Sequence, residues 1–373
     1  MLKSIVIFIA FMLGICTIMS PTVWGEESVT VQSADDLFQK GNEFFAQGKM
    51  QEAILAYDEA LEKNPPHAGA LSNKAAALNQ MGKYEEAMQI CDQAIKIDPQ
   101  YANAWTNKGN SLTELGRYEE AISAYNEAIS INPQIGETWF NKGLALGFLG
   151  RYEEAIQAYN KSIESNPQIA ETWYNKGIAL GSLGKYDEAM LSYDEAIKID
   201  PQYAQAWSNK GMIFGSLGRY DEAVEALDEA IRINPQLAEA WYNKGKALFG
   251  LGKSDEAVAA FDEAIAIEPQ FALAWRNKGM VFVSQGKHEE ALQAFDEAIN
   301  INPQYEDAWY SKGLALAEMG RLEEAVQALN ETLTINPELA EAWQKKAINL
   351  QALGRSREAQ DAFARAKELG FTG

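Results

Sequence analysis

From Ala34 onward, bulky, small and polar positions recur with a period of 34 residues and no insertion, ten times over. The third unit, "ANAWTNKGNSLTELGRYEEAISAYNEAISINPQI" (102–135), shows the pattern. Counted from its first residue, positions 4, 8 and 11 are Trp105, Gly109 and Leu112. At about 100° per residue these share one face, which predicts a first helix with a bulky–small–bulky stripe. A second stripe at positions 20, 24, 27 and 28 (Ala121, Tyr125, Ala128, Ile129) predicts a second helix. Position 15, between them, is Gly in all ten units and supplies a helix stop. The Lys or Arg that follows suits the negative end of the first helix, and acids such as Glu119 and Glu120 suit the positive end of the second. Pro at position 32 in nine units, from Pro65 to Pro337, prevents that helix from continuing. Position 4 is Trp in the last eight units, from Trp105 to Trp343, and Leu37 and Leu71 in the first two. Position 8 is Gly, or Ala in Ala75 and Ala347, and position 20 is always Ala.

A 34-residue period carrying W…G…A…Y/F…A…P resembles the tetratricopeptide repeat (TPR). The likeness covers the units 34–67, 68–101, 102–135, 136–169, 170–203, 204–237, 238–271, 272–305, 306–339 and 340–373. It implies an all-α fold, antiparallel helix pairs stacked as a right-handed superhelical α-solenoid whose first helices line a concave groove. One unit cannot bury its own stripe, so a single cooperative solenoid is expected rather than ten domains. The last second helix agrees: "SREAQDAFARAKELG" carries Lys367 where other units have Ile or Leu, and Arg357 where most have an acid. A terminal unit needs such a polar outer face.

With position 4 at 0°, position 6 lies near about 200°, beside positions 2, 9 and 13 and opposite the packed stripe. In the TPR family that face lines the groove. Seven successive units place Asn there: Asn73, Asn107, Asn141, Asn175, Asn209, Asn243 and Asn277. The row ends at Ser311 and Lys345. Asn is about 0.5 kcal/mol poorer than Ala in a helix, and an exposed face offers no packing reward. An amide both donates and accepts, so it can pair with a peptide backbone without reading side chains. The row resembles the asparagine ladder in the TPR region of O-linked N-acetylglucosamine transferase, which implies backbone binding of an extended peptide. Copying during repeat duplication is the competing reading.

The same face is least polar in the middle. Positions 5, 9 and 12 give Phe140, Leu144 and Gly147, then Tyr174, Ile178 and Gly181, then Ser208, Met212 and Gly215. Phe148 lies close by, and Tyr242 takes position 5 in the following unit. Glycine inside a helix costs about 1 kcal/mol relative to Ala. These glycines are either copied or dents that admit apolar ligand side chains. Lys stands at position 7 in all ten units, from Lys40 to Lys346, where the family usually has Leu. Its stem can snorkel along the packed seam to water or a neighbouring carboxylate, or the row can attract acidic ligands. Surrounding acids would largely neutralise such a row, which favours the first reading.

The balance of 32 basic against 53 acidic residues, a net charge of -21, repels phosphate backbones and excludes nucleic acid as a partner. Chemistry-bearing residues are sparse: His67, His288 and Cys91 beyond the N-terminal leader, with no HExxH, CxxC or phosphate-cradling Gly loop. No catalytic role, metal or cofactor is expected, and acid pairs such as Glu153-Glu154 read as helix openings. Residues 1–25 have the tripartite form of a secretory signal: Lys3, the apolar run Ile5 to Met19, then Val23-Trp24-Gly25 as cleavage site before Glu26. An uncleaved anchor is the alternative, although the run is short for a span of about 20 residues. Ile15 before Cys16 does not fit a lipoprotein signal. The expectation is an exported, extracytoplasmic monomer, with a short polar linker at 26–33 and no span in the mature chain. Two functions fit: a scaffold holding an extended peptide or partner segment, and a structural component of a cell-envelope assembly built by self-association. The Asn row and the central aromatic patch favour the first, and the polar terminal helix weighs against end stacking.

Overall fold

The computed structural model describes residues 32–371, so the leader and most of the linker lie outside the described residues. Every unit forms two helices, from Ala34–Ala46 and Met50–Lys63 in the first to Ala340–Ala352 and Ser356–Glu368 in the last. The described residues contain no strand. Between the two helices of each unit the position-15 glycine, Gly48 through Gly354, adopts φ of 71° to 75°, a left-handed conformation that strains any residue with a Cβ. The amide of position 16 then closes onto the carbonyl of position 11, as Arg117 onto Leu112 at 2.8 Å, which caps the first helix. The basic residue at position 16 has a further task. Arg117, Arg151, Arg321 and Arg355 fork onto Glu120, Glu154, Glu324 and Glu358 of the second helix at 2.6–2.8 Å.

The close approach of the two helices explains position 8. A Cβ on Gly41, Gly109, Gly143, Gly177, Gly245 or Gly279 would stand 2.4–2.7 Å from the aromatic ring at position 24 of the same unit. Unit 2 accommodates Ala75 because its position 24 is the smaller Cys91, in the same buried cluster. In unit 10, where Ala347 replaces the glycine, Phe363 is 36% exposed. Neighbouring units are tied by the indole N–H of Trp105, Trp139, Trp173, Trp241, Trp275, Trp309 and Trp343. Each donates to the carbonyl of the proline six residues earlier at 2.9–3.4 Å. The proline that ends one helix pair thus positions the tryptophan that opens the next. The Trp207 indole nitrogen is buried without such a partner.

Each second helix packs on the first helix of its own unit and, in the first nine units, on that of the next. First helices of most neighbouring units also touch one another, whereas second helices make no comparable contact. The array therefore curves with its first helices inside. Both ends are polar. The opening helix exposes Asp36 and Glu43 and buries only Leu37 and Gly41. The closing helix buries only Ala359, Ala362 and Ala366.

Candidate functional site: the groove lined by the first helices

All seven position-6 asparagines are half-buried, and five of their amides have partners in the preceding unit that a single helix face does not disclose. Asn73 Nδ2 donates to Asn42 Oδ1 at position 9 of the preceding unit (2.8 Å), and the Tyr57 hydroxyl donates to the same oxygen (2.9 Å). The triplet recurs as Asn141, Asn110 and Tyr125 at the same two distances, 2.8 and 2.9 Å. Asn107 follows a unit with Ala76 at position 9, so it donates to the carbonyl (3.0 Å) and hydroxyl (3.1 Å) of Ser72 at position 5. Asn209 and Asn277 donate to the position-5 hydroxyls of Tyr174 (3.3 Å) and Tyr242 (2.8 Å). Asn175 follows Phe140 and Leu144, which cannot accept, and turns back to the Glu171 carbonyl of its own helix (2.9 Å). Asn243, behind Ser208 and Met212, makes no bond of either kind.

The amide row therefore has a structural reward after all, because five of the seven tie one first helix to the last. What it leaves open is the acceptor. Asn277 Oδ1 accepts from Arg276 Nη1 (3.2 Å), and among the described residues the Oδ1 of the other six takes no hydrogen bond.

The groove begins in a cavity of about 410 Å³ whose walls include Asn42, Asn73, Asn79, Asn107, Asn110 and Glu137. A second cavity, about 340 Å³, follows beside Asn110, Asn141 and Leu144. Asn42, Asn79 and Asn110 are groove residues that reading position 6 alone misses. Their signal was available, since positions 9 and 12 lie on or beside the same helix face. Arg276 and Lys246, at positions 5 and 9, were missed likewise. Lys246 Nζ stands 5.3 Å over the Tyr242 ring, and Arg276 Nε is buried without a partner.

In the centre, Ile178 and Met212 are 37% and 44% exposed, and Leu144 is half-buried. Phe148 is 65% exposed and stacks on Tyr118 of the preceding unit at 5.0 Å. Phe140, Tyr174 and Tyr242 lean inward: their rings meet Tyr159, Tyr193 and Phe261 at 5.9–6.0 Å. Position 12 is open. A Cβ on Gly181 would meet nothing within 4 Å, and one on Gly147 or Gly215 would touch only Tyr159 Oη at 4.0 Å or Ala223 Cβ at 3.9 Å. Packing does not require glycine there, in contrast to position 8 in the same helices.

The lysine row is mostly neutralised. Lys74, Lys108, Lys210, Lys244, Lys278 and Lys312 each meet the Asp at position 25 of the preceding unit (Asp58, Asp92, Asp194, Asp228, Asp262, Asp296) at 2.5–2.7 Å. This is the snorkelling arrangement with a neighbouring carboxylate. Burial pulls the ammonium pKa of Lys142, Lys176 and Lys346 down; these three follow Asn126, Asn160 and Asn330 instead of Asp. Cys91 is fully buried, and burial pushes its thiol up to about 12. Such a thiol stays protonated and shielded at neutral pH. The described residues hold no cluster of His, Cys, Asp and Glu arranged for a metal ion, and no helix long and apolar enough to cross a membrane. What the groove offers is amide, aromatic and apolar contact.

Three family models, each described as tetratricopeptide repeat, match this chain. One covers 38–102, 208–270 and 242–306, a second 102–135, 136–169 and 170–203, and a third 282–348. Among curated proteins, Hsp70-Hsp90 organizing protein 1 of Glycine max and Hsp70-Hsp90 organizing protein of Triticum aestivum are each 46% identical over 48 residues. That stretch is 13% of this chain and only 8% of either relative. Among solved structures, YrrB, a TPR protein with an unusual peptide-binding site, is 23% identical over 50% of this chain and 97% of its own, with a TM-score of 0.44. MamA from Desulfovibrio magneticus RS-1 is 23% identical over 46% of this chain and 96% of its own, with a TM-score of 0.43.

Proposed function

The chain belongs to the tetratricopeptide repeat family and is accordingly a protein–protein interaction scaffold, and from that premise we propose that it is exported and holds an extended peptide or partner segment in its groove. The observation that carries the reading is the set of uncommitted Oδ1 acceptors at position 6, one per unit of the array from Asn73 to Asn243. Each can take a backbone N–H of a strand laid along the groove. Asn175 and Asn243 are the best placed, because neither amide is bound to a neighbouring unit. The apolar middle, with Ile178, Met212 and Phe148 beside the open glycines, receives side chains of the same strand. Leu144, Phe140, Tyr174 and Tyr242 form the floor beneath them. Export rests on the Met1–Gly25 pattern alone.

The test is calorimetric titration with peptides recovered by pull-down from the envelope fraction. Changing Asn175 and Asn243 to Ala removes two backbone contacts at about 1 kcal/mol each, so affinity should fall roughly tenfold to thirtyfold for ligands of differing sequence. Unchanged affinity, with helicity intact, would return the row to its role as a tie between helices. Export is checked by sequencing the N-terminus of the native protein, which should begin near Glu26; a retained Met1 in the membrane fraction means an anchor.

A further inference from the structure

The three open glycines of the central helices do not lead to the same floor. A Cβ on Gly215 would touch the Ala223 methyl at 3.9 Å, and one on Gly181 would meet nothing within 4 Å. A Cβ on Gly147 would meet only the Tyr159 hydroxyl oxygen, at 4.0 Å. Tyr159 is 3% exposed, and among the described residues its hydroxyl makes no hydrogen bond. Two of its counterparts at position 24 are held. Tyr57 donates to Asn42 at position 9 (2.9 Å). Tyr125 meets Asn110 at position 9 (2.9 Å) and Thr113 at position 12 (3.1 Å), and all three line the groove cavity of about 340 Å³. Unit 4 offers neither partner. Leu144 takes the place of Asn110 and accepts nothing, and Gly147 leaves the place of Thr113 empty. Tyr193 of unit 5 is unbonded as well, behind Ile178 and Gly181, but its hydroxyl lies farther from the dent. The dent at Gly147 therefore ends on a buried donor without a partner.

We propose that the Gly147 dent is a polar side-chain pocket within the groove, where a neutral oxygen of the bound segment, from a Ser or Thr hydroxyl or an Asn or Gln carboxamide, accepts from the Tyr159 hydroxyl. The inference rests on the groove reading above and specifies one position of the ligand. In unit 3 a threonine oxygen meets the tyrosine hydroxyl from position 12. In unit 4 the ligand brings that oxygen through the opening the glycine leaves. The hydroxyl lies deeper than the half-buried Phe140 and Leu144, within reach of a side chain rather than of a main chain laid along the groove. Burial, with the Glu171 charge added to it, pushes the Tyr159 pKa up, so the single proton stays in place to be donated. The same Glu171 charge disfavours a carboxylate in the pocket. An apolar side chain would cover the hydroxyl without pairing it, and the pocket discriminates against such ligands for that reason.

The probe is a phage-displayed library of random dodecapeptides, selected in parallel on the purified native protein, Y159F and G147T. G147T installs the position-12 residue of unit 3 and fills the dent with its own hydroxyl. Peptides from the native protein should carry Ser, Thr, Asn or Gln at one fixed position, and whichever pair dominates identifies the oxygen. Y159F and G147T should still select peptides, but without that preference. By calorimetry, a peptide recovered on the native protein should bind Y159F about five- to tenfold more weakly, the equivalent of one hydrogen bond. Its Ala-substituted version should bind the native protein and Y159F alike. The Y159F denaturation midpoint should equal or exceed the native one, because the hydroxyl ties nothing within the chain; a lower midpoint would overturn the proposal. So would an apolar preference at that position in the native protein, or a polar preference unchanged in Y159F, and either would leave the groove reading intact. Recovery of no peptide, or only of peptides indifferent to both N175A/N243A and Y159F, would overturn the groove reading and the proposal with it.

Discussion

The two stretches of the groove are made of the same helices, and they differ chiefly at position 9. In units 1 and 3 that position is Asn42 and Asn110, each accepting both the amide of the next unit and a core tyrosine hydroxyl. In units 4 to 6 it is Leu144, Ile178 and Met212, which accept nothing, and the next amide turns to a position-5 tyrosine, to its own helix, or to no partner. The same letter, Asn, is thus a structural tie in the polar stretch and a freer group in the apolar one. What an asparagine does in this array is set by the neighbouring unit rather than by its own. Where the groove becomes apolar, two of its three amides, those of Asn175 and Asn243, lose the tie to the preceding unit, and the two changes share one cause.

The largest effect should come from erasing that difference. Asn42→Leu with Asn110→Leu gives the polar stretch an apolar position 9. The amides of Asn73 and Asn141 lose their acceptor, as does the Tyr57 hydroxyl, while Tyr125 retains only Thr113 at 3.1 Å. At about 1–2 kcal/mol per stranded site, urea denaturation should show a loss of roughly 2–4 kcal/mol. An unchanged midpoint would mean that the ties are incidental. A smaller effect of opposite sign belongs to the central stretch. Gly181→Ala with Gly215→Ala adds methyl groups that meet open space or an ordinary contact, and should stabilise the protein by about 1–2 kcal/mol in sum. Gly177→Ala, one turn earlier, drives a Cβ to 2.5 Å from the Tyr193 ring and should destabilise. If the double variant also weakens peptides with apolar side chains and spares polar ones, the glycines are dents. If binding is untouched, they are copies.

The fold was legible because every local signal repeats in phase. Period, stripes, Gly at 15, Pro at 32 and the polar last helix all point to the same stacked pairs, and each is a property of one unit. The site was only half legible. The helix wheel places Asn175 on the groove face, but its freedom depends on Phe140 and Leu144, 35 and 31 residues earlier on another helix. The position-7 lysines show the same limit. Lys210 and Lys176 look alike within their own units, and differ because Asp194 precedes one and Asn160 the other. Reading such an array needs the offsets between units as well as the period within them.

The smallest effect tests the comparison most directly, because it changes one amide at a time. Asn141→Ala removes a 2.8 Å hydrogen bond to Asn110, worth about 1 kcal/mol, and regains about 0.5 kcal/mol of helix propensity. Asn175→Ala removes only a bond to the Glu171 carbonyl, an acceptor within its own helix, and should gain nearly the full propensity term. The two variants should therefore separate by roughly 1 kcal/mol, with Asn141→Ala the less stable. Denaturation midpoints are the appropriate readout, since a solenoid of ten units need not unfold in one step. Binding should rank them the other way, with Asn175→Ala losing more affinity for a recovered peptide because its amide, unlike that of Asn141, is not tied to the preceding unit. Two variants of equal stability and equal affinity would erase the distinction between tying and free asparagines, and the groove would then be one surface with one chemistry.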